Sequence, residues 1–172
     1  MQKINTKLNR GFTLIEMLLY ISIAGTLMLV ISIFTNSILE SSVKNTTIIE
    51  VESSGEYISQ IMNQTLRNAT SINTPIAGNT SSTLSVDTTD AVLNPTIFDL
   101  SGGVLRIKEG TADYIELSNS KVIVSDLNFK NLTVSGAPAS VSYSFTVSSS
   151  SVSPRQENKY SQNFYGGVSL RK

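Results

Sequence analysis

The sequence predicts an α+β protein in which one long N-terminal helix leads into an antiparallel β-rich domain. Three observations predict it. An apolar run from Phe12 to Leu39 holds one charged side chain, Glu16. A polar segment after Asn36 keeps a helical spacing of apolar residues to about Asn68. From Thr96 onward the spacing of apolar residues changes to two.

The first element is the apolar run, RGFTLIEMLLYISIAGTLMLVISIF over Arg10–Phe34. About 20 apolar residues at about 1.5 Å rise each span a hydrocarbon core of about 30 Å. From Met17 to Leu39 the only ionisable group is the phenol of Tyr20. A carboxylate costs about 2.5–3.5 kcal/mol near the centre of a membrane helix and less near its end. Glu16 lies one turn in from Phe12, where two readings stand side by side: a snorkelling terminal glutamate, or a functional acid with a partner.

The next element continues the helix. Ile48, Val51, Gly55, Ile58, Met62, Thr65 and Ala69 recur at three- and four-residue steps, with Ile61 and Leu66 widening the stripe. Glu50, Glu52, Glu56 and Arg67 fall elsewhere, so this face expects a sheet of the same chain against it. Asn68-Ala-Thr-Ser and then Pro75 end the helix. From Phe12 to Asn68 it would measure about 85 Å.

Pro75–Asn94 reads as a polar loop with one short strand near Leu84–Val86. Strands are expected over Thr96–Leu100, Val104–Lys108, Tyr114–Leu117, Val122–Ser125, Asn128–Val134 and Val141–Val147. Ser101-Gly102-Gly103 and Glu109-Gly110-Thr111 read as hairpin turns. Ser148–Ser153, Pro154 and the polar residues to Gln162 read as a loop. Phe164–Leu170 reads as a last strand, with Gly166-Gly167 marking a bulge or a close backbone approach.

Composition narrows the chemistry. There is no cysteine, so stability must come from packing, and no histidine, which removes the commonest general base and metal ligand. No G-x-S-x-G element occurs. Asp87 with Asp90 and Asp113 with Glu116 are oxygen pairs of the kind calcium loops use; without glycine-punctuated spacing they read as solvated turn residues. Arg155, Lys159, Arg171 and Lys172, interleaved with Tyr160, Phe164 and Tyr165, form the one cluster suited to stacking on single-stranded DNA. Solubilising charge on a loop and sheet edge is the plainer reading. Neither catalysis nor a cofactor or metal is expected.

The string GFTLIEM, preceded by Lys3, Lys7 and Arg10 and followed by the apolar run, resembles the processing site of type IV pilins and pseudopilins. That resemblance implies a leader over residues 1–11, cut after Gly11, with Phe12 the methylated N-terminus and Glu16 the assembly carboxylate. It divides the rest into a transmembrane and filament-core helix over 12–36, its amphipathic continuation over 37–70, and an extracytoplasmic pilin head over 71–172. The ending FYGGVSLR resembles the terminal strand of minor subunits. Prepilin peptidase, other pilin subunits, assembly platform proteins and the cytoplasmic membrane are the implied partners. Type IV pili, type II secretion and competence systems all use such subunits, and competence pilins contact DNA.

Three rival readings remain on the sequence. A secretory signal peptide has an apolar region of about 7–15 residues with a small-residue cleavage site at its end; here Ala24-Gly25 sits mid-run. A membrane-anchored binding or adhesion protein that never polymerises would leave Glu16 without a role. A major pilin forming the bulk of a fibre is told from a minor one by abundance and neighbouring genes, not by sequence. Of thirteen Lys and Arg, three lie in the leader, so the mature chain would carry ten against thirteen Asp and Glu. The leader cations would hold the N-terminus inside the cell, with the remainder outside.

Overall fold

A computed structural model describes residues 11–151 and 159–170. The chain divides into two compact units, Met1–Ser42 and Val43–Lys172. One helix, α1 (Leu14–Asn68, 55 residues), runs through both. Thr13 sets its start: the Thr13 hydroxyl accepts from the Glu16 backbone N–H at 3.3 Å, satisfying one of the donors left open at a helix N-terminus.

In the first unit the helix is exposed from Leu14 to Leu39, except that Glu16 is half-buried. It is the one helix among the described residues that is long and apolar enough to cross a membrane. Three of its polar side chains turn back on their own backbone. Thr26 Oγ1 donates to Ser22 O at 2.9 Å, Thr35 Oγ1 to Ile31 O at 2.9 Å, and Asn36 Nδ2 to Ser32 O at 3.1 Å. Such bonds are what an apolar solvent demands, since it offers polar groups no partners. Gly25 leaves the helix unbroken.

The second unit is the α+β head. Among the described residues nine strands follow the helix: β1 (Ala69–Thr74), β2 (Thr80–Ser81), β3 (Leu84–Thr88), β4 (Thr96–Ser101), β5 (Val104–Glu109), β6 (Ile115–Glu116), β7 (Val122–Asn131), β8 (Ser140–Ser149) and β9 (Ser161–Ser169). They form two antiparallel sheets, β1-β3-β4-β5-β6 and β2-β7-β8-β9. The Val124 N–H donates to Gly103 O at 2.8 Å and joins them. Val51, Ile58, Met62 and Leu66 of α1 share one core with Leu84, Phe98 and Leu105 of the first sheet and Phe129, Phe145 and Val147 of the second. The arrangement, one long N-terminal helix packed on antiparallel sheets, is consistent with a pilin-like fold.

The buried helix face is the stripe read from the sequence, with Ser54 added and Ile48, Ile61 and Thr65 at its half-buried margins. Gly102 and Gly103 (φ 59° and 82°) make the two-residue turn between β4 and β5, as primed hairpin turns require.

Two strand expectations need correction, β2 lies where a loop is expected, and at Gly166-Gly167 the structure decides between the two expected alternatives. Ala69–Thr74 is a strand, although it was read as a helix end; only Ala69 is buried, so no alternation announces it. Backbone bonds to β3 and the Asp87 carboxylate hold it, the latter accepting from Ser71 Oγ at 3.2 Å and Asn73 Nδ2 at 2.9 Å. The segments expected at Val122–Ser125 and Asn128–Val134 are one strand, ending at Asn131. Val122 and Val124 are buried, then Leu127 and Phe129, so the alternation slips by one residue. A bulge between Ser125 and Asn128, with Asp126 at φ 53°, resets the phase. β9 pairs with β8 in unbroken register, so Gly166 marks close approach and no bulge; a Cβ there would stand 2.5 Å from the Tyr143 ring.

Gly55 lets an aromatic ring of the second sheet pack against the helix. A Cβ at this position would lie 2.1 Å from the Phe164 ring, which stacks on Phe145 at 5.4 Å between centroids. Ala in place of Gly favours a helix by about 1 kcal/mol. Overpacking costs about 1–3 kcal/mol, and a displaced aromatic pair about 0.5–1.5 kcal/mol more. Gly55→Ala is therefore expected to lose about 1 kcal/mol net, and Gly55→Leu about 3 kcal/mol. Denaturant melts of the head within the full chain read both. In a Phe164→Ala background the Gly55→Leu penalty should shrink, because the two sites share one contact.

Candidate functional site

The apolar helix begins with a small polar constellation. Glu16 sits in the first turn of α1, where the partial positive charge of the helix end favours an anion. The Tyr20 hydroxyl, one turn on, donates to Glu16 Oε1 at 3.3 Å. The Tyr20 ring also meets Phe12 edge-to-face, with centroids 6.0 Å apart and an interplanar angle of 73°. Glu16 and Tyr20, four residues apart, share one side of the helix, and Phe12, just before it, reaches the Tyr20 ring from outside. Thr13, between Phe12 and Glu16, caps it. The T-x-x-E spacing and the i, i+4 pair with Tyr20 were both present in the sequence as signals, and neither was read from it.

Gly11 adjoins this group, and no contact among the described residues requires glycine there: nothing lies within 4 Å of the position a Cβ would take. Lys3, Lys7 and Arg10 lie outside the described residues.

Two of the other candidates, Asp87 and Asp90, have structural occupations, and Asp113 and Glu116 are exposed. Asp87 holds β1, as above. Asp90 caps the 3-10 turn at Ala91–Leu93, its Oδ1 accepting from Val92 N–H at 3.0 Å. Asp113 and Glu116 flank Tyr114, whose ring carries the Arg106 guanidinium at 4.3 Å and Lys108 Nζ at 5.5 Å. Arg106 makes a two-pronged pair with Asp99, at 3.0 and 2.7 Å, and that bond raises its pKa further above an already permanent charge. Among the described residues no three acidic side chains converge.

The basic and aromatic cluster comes apart. Arg155, Arg171 and Lys172 lie outside the described residues. Phe164 packs on Gly55 and stacks on Phe145, so it is half-buried and committed to the core. Tyr160 donates to Gln162 Oε1 at 2.7 Å with Glu52 Oε1 at 3.3 Å. Desolvation, then the Glu52 charge, raise its pKa, so it remains a protonated donor that ties the start of β9 to α1. Lys159 and Tyr165 are exposed. Packing has taken two of the three aromatics that single-stranded DNA would need. Lys121 is also committed, pairing with Glu50 of α1.

Residues 6–32 match a family model described as the prokaryotic N-terminal methylation motif. The chain carries the prepilin signature of type IV pilins and pseudopilins. No curated protein and no solved structure matches the chain. The motif covers Gly11, Phe12, Glu16 and Tyr20, together with most of the exposed apolar helix. It points to a structural subunit processed by prepilin peptidase and assembled with other pilins. An apolar helix of this length suits a membrane-anchored precursor of that kind.

Proposed function

We propose that the chain is a minor pilin or minor pseudopilin, a structural subunit of a type IV pilus-like filament. The precursor enters the cytoplasmic membrane through α1 with residues 1–11 inside the cell. Prepilin peptidase cuts between Gly11 and Phe12 and methylates the new amine. Glu16 of one subunit then pairs with the Phe12 amine of a neighbour. Pairing in low dielectric recovers much of the cost of holding each charge in lipid. It also sets a register, since one stagger alone brings the two together. Apolar helices form the filament core and the β-rich heads its surface.

The observation that carries this reading is the lone carboxylate on an otherwise apolar, exposed helix, within the methylation motif. Gly11 supports it further: a glycine that the fold does not need suggests a demand made by another protein. Sheared surface fibres test the proposal. They are expected to contain this chain as a small fraction beside a more abundant subunit. A chain confined to the membrane while fibres form without it would favour an anchored binding protein instead.

A further inference from the structure

We propose that Tyr20 is a positioning residue for assembly, holding the Glu16 carboxylate ready for the incoming amine; this rests on the filament reading above. Two polar groups lie near the start of the apolar helix, and each lacks a partner in hydrocarbon. The helix puts them four residues apart, and the Tyr20 hydroxyl donates to Glu16 Oε1 at 3.3 Å. A carboxylate accepts through two oxygens. Among the described residues Oε2 has no partner, so the phenol need not leave when an amine arrives. The bond thus serves the subunit while alone in the membrane and survives in the filament.

The ring has a second contact. Its edge-to-face packing on Phe12 ties the N-terminal residue to the same turn that carries the carboxylate. Tyr20 therefore touches both residues that assembly would use: the acid, and the residue whose amine is released. Without it Glu16 would sample rotamers that face lipid, and ordering the side chain would fall to the docking step. The 3.3 Å separation is long for a hydroxyl donor, whose usual distance is about 2.7–2.8 Å. The expected effect is accordingly that of one modest hydrogen bond.

The test compares Tyr20→Phe, which keeps the ring and deletes the donor, with Tyr20→Gln, which keeps an i+4 donor and deletes the ring. Each full-length chain is expressed with its own assembly machinery, and the sheared-fibre signal is divided by the processed membrane pool. Tyr20→Phe is expected to reduce that ratio about fivefold, with leader removal and head melting unchanged. Tyr20→Gln should restore most of it. Wild-type incorporation of Tyr20→Phe, in a chain whose N-terminus is Phe12, would overturn the proposal alone. A loss in Tyr20→Gln alone would assign the effect to the ring, an equal loss in both variants would show that a donor at this position does not suffice, and either would overturn it too. A wild-type N-terminus other than Phe12 would remove the filament reading itself.

Discussion

Glu16→Val chains are expected to reach the membrane and lose their leader normally, yet to be nearly missing from filaments. Two magnitudes decide this. Removing a carboxylate from a membrane helix relieves a cost of up to about 2.5–3.5 kcal/mol, less at an end position, so insertion cannot be the step that fails. In the filament the neighbour's Phe12 amine would stay buried without a counter-charge. Breaking one side of such a pair costs about 3–5 kcal/mol, or at least a hundredfold in incorporation. Glu16→Gln keeps the shape and a hydrogen-bonding group but not the charge, and should fall between. Immunoblots of sheared and membrane fractions give the ratio. Normal incorporation of both variants would discard the pairing.

Gly11→Leu is expected to abolish processing, leaving only the full-length chain in the membrane fraction. The fold supplies the control. Because a Cβ at Gly11 meets nothing within 4 Å, the substitution should leave the head's melting unchanged. Loss of processing would then reflect the fit of the cleavage segment in the peptidase, where a branched side chain blocks close approach to the backbone. A processed Gly11→Leu product on a gel would show that the cut, if any, lies elsewhere.

Much of the fold could be read from residue spacing. The helix was expected from Phe12 and begins at Leu14, because Thr13 is spent as the cap. Its buried stripe was legible since one apolar face at 3.6-residue spacing must find cover. The division into two sheets was not, because strand partners are chosen by long-range packing that periodicity does not encode. β1 escaped notice because backbone bonds hold it with little burial. β7 looked like two strands because its bulge shifts the phase of burial.

The site was legible for a different reason. Glycine, Phe, Glu and the apolar run stand in a register that packing does not explain. Phe164 misled, since an aromatic beside cations suggested a stacking platform. Its partner, Gly55, lies far away in sequence, and a glycine on an otherwise apolar stripe was the hint that something large packs there. Tyr20 stands in the sequence as an ionisable group, and its four-residue distance from Glu16 is the signal that places the two on one helix face.

The central claim is that the Phe12 amine is freed and meets the acid of an adjoining subunit. Mass spectrometry of the N-terminal peptide from the native organism tests its first requirement directly. A peptide beginning at Phe12 and carrying one added methyl group is the predicted result. A mature chain that still begins at Met1, or at any residue other than Phe12, would contradict the account.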